Sequence, residues 1–176
     1  MSAQPVLSVV ASAAGGVQGL RVGLVEPALA AGWRVTVTLT PTAARWLTDL
    51  GEVDRLALAT GLPVRWDSRL PTEPRPHPDP DVAVLAPASA NTVAKLALGI
   101  AENQALTQLC EAVGNPAVPV VVLPRTNAFQ ARHPAWNGHL ATLRSAGVHL
   151  VDARPGADGA LPWPAVLDSV SRAARA

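Results

Sequence analysis

The stretch Val82-Ala83-Val84-Leu85-Ala86-Pro87-Ala88-Ser89-Ala90-Asn91-Thr92 decides how this chain folds. Its apolar run, Val82 to Ala86, has no polar alternation and reads as a strand covered on both faces, the habit of parallel sheets. Small hydroxyl and amide residues end the run, and a segment with helical spacing, Thr92 to Val113, follows. The same order recurs along the chain. Apolar runs at Val6 to Ala11, Val35 to Leu39, Val118 to Leu123 and, more weakly, Val148 to Val151 alternate with helical segments at Val17 to Ala31, Ala43 to Leu50 and Pro134 to Ala146. Such alternation predicts an α/β, doubly wound parallel sheet with right-handed crossovers and helices on both faces. Gly32 and Gly147 stand where helices end in a left-handed residue, and Leu62 to Trp66 is a candidate further strand.

A length of 176 residues suits one domain over 1–176, and 49% hydrophobic residues suffice for its core. The net charge of +1, with no clustered basic residues interleaved with aromatics, argues against a nucleic-acid partner. No apolar run approaches the roughly 18 residues that span a bilayer, so no membrane segment is expected. With no basic leader at the N-terminus and a lone Cys110, cytoplasmic residence is the expectation. Cys110 falls in a helical segment and reads as a small apolar residue. Trp33, Trp46 and Trp66 are expected in the core, whereas Trp136 and Trp163 flank segments that could meet substrate.

From Arg69 to Pro80, five prolines (71, 74, 76, 78 and 80) remove amide donors and force extended backbone. This predicts a long loop, a candidate lid or subunit contact. A second irregular stretch, Asp152 to Pro164, precedes a short C-terminal helix, and within it Asp152 to Gly159 is a candidate flap.

In an open parallel sheet the ligand lies beyond the carboxyl ends of the strands. The residues there are Ser12-Ala13-Ala14-Gly15-Gly16, Thr40-Pro41-Thr42, Pro87 to Thr92, and Pro124-Arg125-Thr126-Asn127. Singly, each Ser, Thr or Asn reads as a helix cap worth about 1 kcal/mol. Four such turns at one sheet end point instead to a phosphate-bearing ligand held by hydroxyls and helix N-termini. The first turn lacks the G-x-G-x-x-G spacing, which disfavours NAD and leaves a mononucleotide.

Ala86-Pro87-Ala88-Ser89-Ala90-Asn91-Thr92, with Lys95, Ala97, Gly99, Asn103 and Thr107 beyond it, resembles the PASANT signature of the flavin-dependent cysteine decarboxylases. That family includes phosphopantothenoylcysteine decarboxylase and the peptidyl-cysteine decarboxylases of lantibiotic synthesis. Ser12-Ala13 resembles its first flavin loop, Leu39 to Ala44 its second, and Pro124, Asn127 and Pro134 its P-x-M-N-x-x-M-W region. The resemblance implies FMN in a three-layer, Rossmann-like, flavodoxin-type domain that assembles as a homotrimer or dodecamer. It implies FMN contacts at Ser12, Ala13, Thr40, Thr42, Ser89, Ala90, Asn91, Thr92 and Arg125, and a substrate carboxylate held by Asn127. A small-molecule or peptide thiol would be the substrate, and the product an enethiol.

The sequence departs from the family in three places. Glu73 stands where the family spacing puts its catalytic His, and the nearest His is His77, the candidate for that role. Thr126, Gln130 and Ala131 replace the Met and Trp residues of the third motif. No Cys lies in the candidate flap to reduce the enethiol, so the reaction would stop there, as in the peptide-modifying branch. A second reading keeps FMN but assigns a different reaction or none, with the chain acting as an interaction or regulatory subunit. Prenyl transfer to flavin, and decarboxylation of phosphopantothenoylcysteine itself, fit the motifs less well.

Overall fold

The computed structural model describes residues 4–152 and 160–175; the candidate flap, apart from Asp152, lies outside them. Five strands, β1 (Val6–Ala11), β2 (Arg34–Leu39), β3 (Val82–Ser89), β4 (Val120–Arg125) and β5 (His149–Leu150), form one parallel sheet in the order β2-β1-β3-β4-β5. The chain leaves β1 toward β2 and then returns past it to β3, so the strand order reverses between β1 and β3. In this topology that reversal opens the crevice where ligands bind. The helices are α1 (Glu26–Ala30), α2 (Pro41–Asp49), α3 (Glu52–Thr60), α4 (Ala90–Ala97), α5 (Gln104–Gly114), α6 (Ala128–Ala131), α7 (Trp136–Ser145) and α8 (Trp163–Ala173).

Because side chains alternate along a strand, the sheet feeds two cores. Leu7, Val9, Val35 and Val37 pack with Leu24, Ala28, Leu47, Leu56, Val166 and Val170 on one face. Val10, Leu85 and Val122 pack with Val93, Leu96, Leu109 and Leu143 of α4, α5 and α7 on the other. Each fully buried Leu or Val contributes about 1.5–3 kcal/mol, which is why the apolar runs define the strands. Of the predicted core tryptophans, Trp33 is 7% exposed, and Trp66 packs partly buried against the first core. Trp46 departs from the expectation: it lies on the outer side of α2, 45% exposed, while Ala43, Ala44 and Leu47 make the buried side. Trp136 is buried in the second core.

The segment predicted as one helix over Val17 to Ala31 changes winding along its length. A 3-10 turn at Val17–Gly19 and a π-helical turn at Arg21–Val25 precede α1. Pro27 has no N–H to bond the Gly23 carbonyl, which removes one α-helical link there. Trp163, at the start of α8, lies on the flat strip left by Gly19 and Gly23. A Cβ on Gly23 would sit 2.2 Å from the indole Cδ1, and one on Gly19 3.3 Å from Nε1.

The segment from Thr92 to Val113 is two helices. Gly99 takes φ +71°, Ile100 N–H donates to Lys95 O at 2.9 Å and Gly99 N–H to Leu96 O at 3.2 Å. That pair of bonds closes α4 in a Schellman motif, and Asn103 Oδ1 then caps α5 through Leu106 N–H at 3.0 Å. Gly32 and Gly147 end their helices at φ +91° and +83°, as their positions predict. The expected strand at Leu62 to Trp66 reduces to one bridge, Arg65 with Thr38, on the outer side of β2.

Among the described residues no helix is long and apolar enough to cross a membrane.

Candidate functional site

Three of the four strand-end turns are tied to one another at the sheet's carboxyl edge. Ser12, 1% exposed, donates its hydroxyl to Pro87 O at 3.0 Å and accepts Ser89 N–H at 2.7 Å. Its own N–H donates to Pro87 O at 3.0 Å. Ser12 therefore fastens the first loop to the third, and its hydroxyl proton is already engaged. Thr40 N–H donates to Ala11 O at 2.9 Å, which fastens the second loop to the first. Ser89 caps α4 by accepting Thr92 N–H, and its hydroxyl lies 3.0 Å from that of buried Thr92. Ala13 and Ala90 are half-buried on this rim, and Thr42 and Asn91 are exposed on the first turns of α2 and α4.

Two features of the rim leave donors available. Thr40 is the N-cap residue of α2, yet its hydroxyl makes no cap bond. Arg125 pairs in register with Ser89, and its guanidinium reaches over Gly15, where a Cβ would come within 3.9 Å of Nε. Among the described residues that guanidinium has no hydrogen-bond or ion-pair partner. The reach of the Arg125 side chain over Gly15 is a contact that motif reading passed over. A cation without a carboxylate, an uncapped hydroxyl and two helix N-termini together form a cradle suited to a phosphate.

Asn127 stands at the mouth of the fourth turn as the N-cap of α6. Its Oδ1 accepts Phe129 N–H at 3.0 Å and Gln130 N–H at 2.8 Å, and Gln130 Oε1 accepts Asn127 N–H in return. This capping box fixes the amide plane, so the Nδ2 donors are the group left to face outward.

His77 lies elsewhere. It lines a cavity of about 730 Å³ over the second face of the sheet, walled by the proline-rich connection and α5 and floored by Ser8, Val10 and Thr36. Its Nε2 lies 2.7 Å from Pro63 O, which places the proton on Nε2 and leaves Nδ1 bare; Nδ1 is buried without a partner. Burial of the ring, the main cause, lowers the His77 pKa below the usual histidine value, so the ring stays neutral at physiological pH. Cys110 is half-buried on α5, and burial raises its pKa. Among the described residues no group of His, Cys, Asp and Glu is arranged to hold a metal ion.

The reversal of strand order and the phosphate cradle at its mouth define a flavodoxin-like, doubly wound α/β protein. The chain belongs to the Flavoprotein family, whose sequence model matches residues 4–174. Over 101 residues it is 36% identical to a phosphopantothenoylcysteine decarboxylase of Oryza sativa subsp. japonica, a match covering 53% of this chain and 45% of that one. Over 76 residues it is 37% identical to a cysteine/cysteine sulfinic acid decarboxylase of an unknown prokaryotic organism, covering 43% of this chain and 20% of that one. The chain thus covers less than half the length of either relative. Among solved structures it resembles the FMN-dependent cysteine decarboxylase TvaF from thioviridamide biosynthesis, with a TM-score of 0.75, 25% identity and coverage of 99% and 100% of the two chains.

Proposed function

We propose that this chain, as one domain, holds FMN at the strand-end rim and decarboxylates a cysteine-derived carboxylate, peptidyl or conjugated, with oxidation to an enethiol. The observation that carries the reading is the Arg125 guanidinium over Gly15, without a partner among the described residues and at the same rim as the uncapped Thr40 hydroxyl. Family membership and the likeness to an FMN-dependent cysteine decarboxylase support it. Arg125, Thr40, Thr42 and the α4 turn from Ser89 to Thr92 would hold the flavin phosphate and its polar chain, with Ala13 lining the first loop. Ser12 would keep the loops in register. When bound, FMN supplies a two-electron acceptor for the thiol-bearing carbon.

Asn127 would donate through Nδ2 to the substrate carboxylate, an amide avoiding the cost of burying a second charge. His77 would accept a proton at Nδ1, with the proline-rich loop carrying it toward the rim. Cys110 lies within α5 and is not assigned as a reductant of the enethiol, so the enethiol is the proposed product. The proposed setting is the cytoplasm, and exposed Leu50, Leu98, Ile100 and Phe129 supply apolar surface for the proposed homo-oligomer, a trimer or dodecamer, whose size light scattering checks.

The purified protein is expected to be yellow and to release FMN on denaturation. Arg125→Gln should weaken FMN binding by about tenfold or more, through loss of a charge-assisted contact. Asn127→Asp should retain the flavin but abolish its anaerobic bleaching by cysteine-terminated peptides, because like charges would face each other. His77→Asn should slow bleaching by roughly 10² to 10⁴. A colourless protein that takes up no added FMN overturns the proposal.

One observation favours the alternative of an FMN protein with another reaction or a regulatory role: the cavity lined by His77 includes none of the rim residues. That reading expects flavin that no cysteine peptide or free cysteine conjugate bleaches.

A further inference from the structure

The cavity behind the proline-rich connection has a floor unlike that of a strand buried on both faces. Ser8 and Thr36, register partners on β1 and β2, are 7% and 2% exposed. Neither hydroxyl has a hydrogen-bond partner among the described residues, and both line the cavity. Valine would suit either position in a two-faced parallel strand. Two buried hydroxyls side by side instead present donors and acceptors to whatever fills the space.

The lining of the cavity also carries charge. Arg75 is paired with Asp79 at 2.8 Å. Arg65 and Arg69 bond only main-chain carbonyls, Asp67 O at 3.1 Å for the first, and Leu70 O at 3.3 Å and Glu73 O at 2.9 Å for the second. Against these two cations the lining offers one carboxylate outside an ion pair, Glu111 of α5. The balance favours an anion, and the planar guanidinium fork favours one with two oxygens in a plane.

We propose that this cavity binds a small hydroxylated carboxylate, with its carboxylate against Arg65 and Arg69 and its hydroxyl-bearing body over Ser8 and Thr36. The volume of about 730 Å³ falls within the range of small-molecule sites. Apart from His77, none of the residues assigned to the proposed flavin and substrate site lines this cavity, so the binding test reads the same whether or not the protein carries FMN.

Titration calorimetry on the protein as purified, with gluconate, acetate and inorganic phosphate as probes, tests the assignment. Gluconate should bind saturably, one per chain and at least about tenfold more tightly than acetate, because only gluconate carries hydroxyls for the floor. Bound gluconate should leave any flavin absorption unchanged. Thr36→Val, which keeps side-chain shape, should weaken gluconate about tenfold, and so should Arg69→Gln, which alters an exposed loop residue and spares the core. Absence of saturable gluconate binding, or binding that both substitutions leave intact, overturns the proposal. Phosphate binding more tightly than gluconate in an Arg69-dependent way overturns the carboxylate assignment.

Discussion

Ser12 shows how much a single buried hydroxyl can fix. It receives the Ser89 amide and donates to Pro87, so Ser12→Ala leaves a partly buried N–H without that acceptor while removing no charge. The expected loss is about 1–3 kcal/mol, read as a lowered urea midpoint with an unchanged slope. Two ionisable side chains add a pH dependence whose sign follows from their environments. Hydrogen bonds from Arg21, the leading cause, and from Arg55 hold the Glu52 carboxyl below its usual value. A depressed folded-state pKa means that this contribution is present above the ordinary carboxylate range and is lost as pH falls through the lower folded value. His77, lowered by burial, obeys the same sign at higher pH: its contribution is complete above the usual histidine value of 6.5 and declines as pH falls below it. Denaturation midpoints measured from pH 8 down to 5 should therefore fall, and His77→Asn should flatten that slope.

At the scale of elements, the contact between Trp163 and the glycine strip makes an asymmetric prediction. Gly23→Ala puts a methyl 2.2 Å from the indole, whereas Gly19→Ala meets it at 3.3 Å. The first should cost about 1–3 kcal/mol and the second less, and Trp163→Ala should abolish most of the difference in a double-mutant cycle on thermal midpoints. The strands were legible because burial on both faces selects continuous Val and Leu locally: β1 matches its apolar run at both ends, and β2 and β3 begin within one residue of theirs. The helix α3 was not, since Leu56 is the one apolar side chain it buries fully, beside the ion-paired Glu52, while Leu58 is exposed, so its apolar spacing does not stand out. The candidate site was legible as positions but not as chemistry. Small polar residues after each strand betray the rim, yet the partners of Ser12 lie 75 and 77 residues away, and only the strand register brings them together. For the same reason, spacing along the chain could not tell that the capping box would turn Asn127's amide outward, or that His77 would fold over the other face of the sheet.

At the scale of the whole molecule, the return from β2 to β3 sets the character of the two faces. The helices α2 and α3 contribute Leu47 and Leu56 to the first core, so the second face over Ser8 and Thr36 is covered by α5 together with the proline-rich stretch. Shortening that stretch, for example by deleting residues 72–76, should leave the cores and the strand-end rim intact while narrowing the cavity. Gluconate binding should then disappear with little change in thermal midpoint. The sheet's margins carry a different consequence. On one side β5 has only two residues, and on the other β2 is met by the single bridge at Arg65. Among the described residues an outsider strand therefore finds no long, straight row of open amides and carbonyls on either flank, and templated fibril growth by strand addition is disfavoured at both. Copies of this chain that associate are therefore expected to do so through side chains, and mixed assemblies of wild-type and surface-altered subunits should dissociate and exchange, as backbone-zipped aggregates would not.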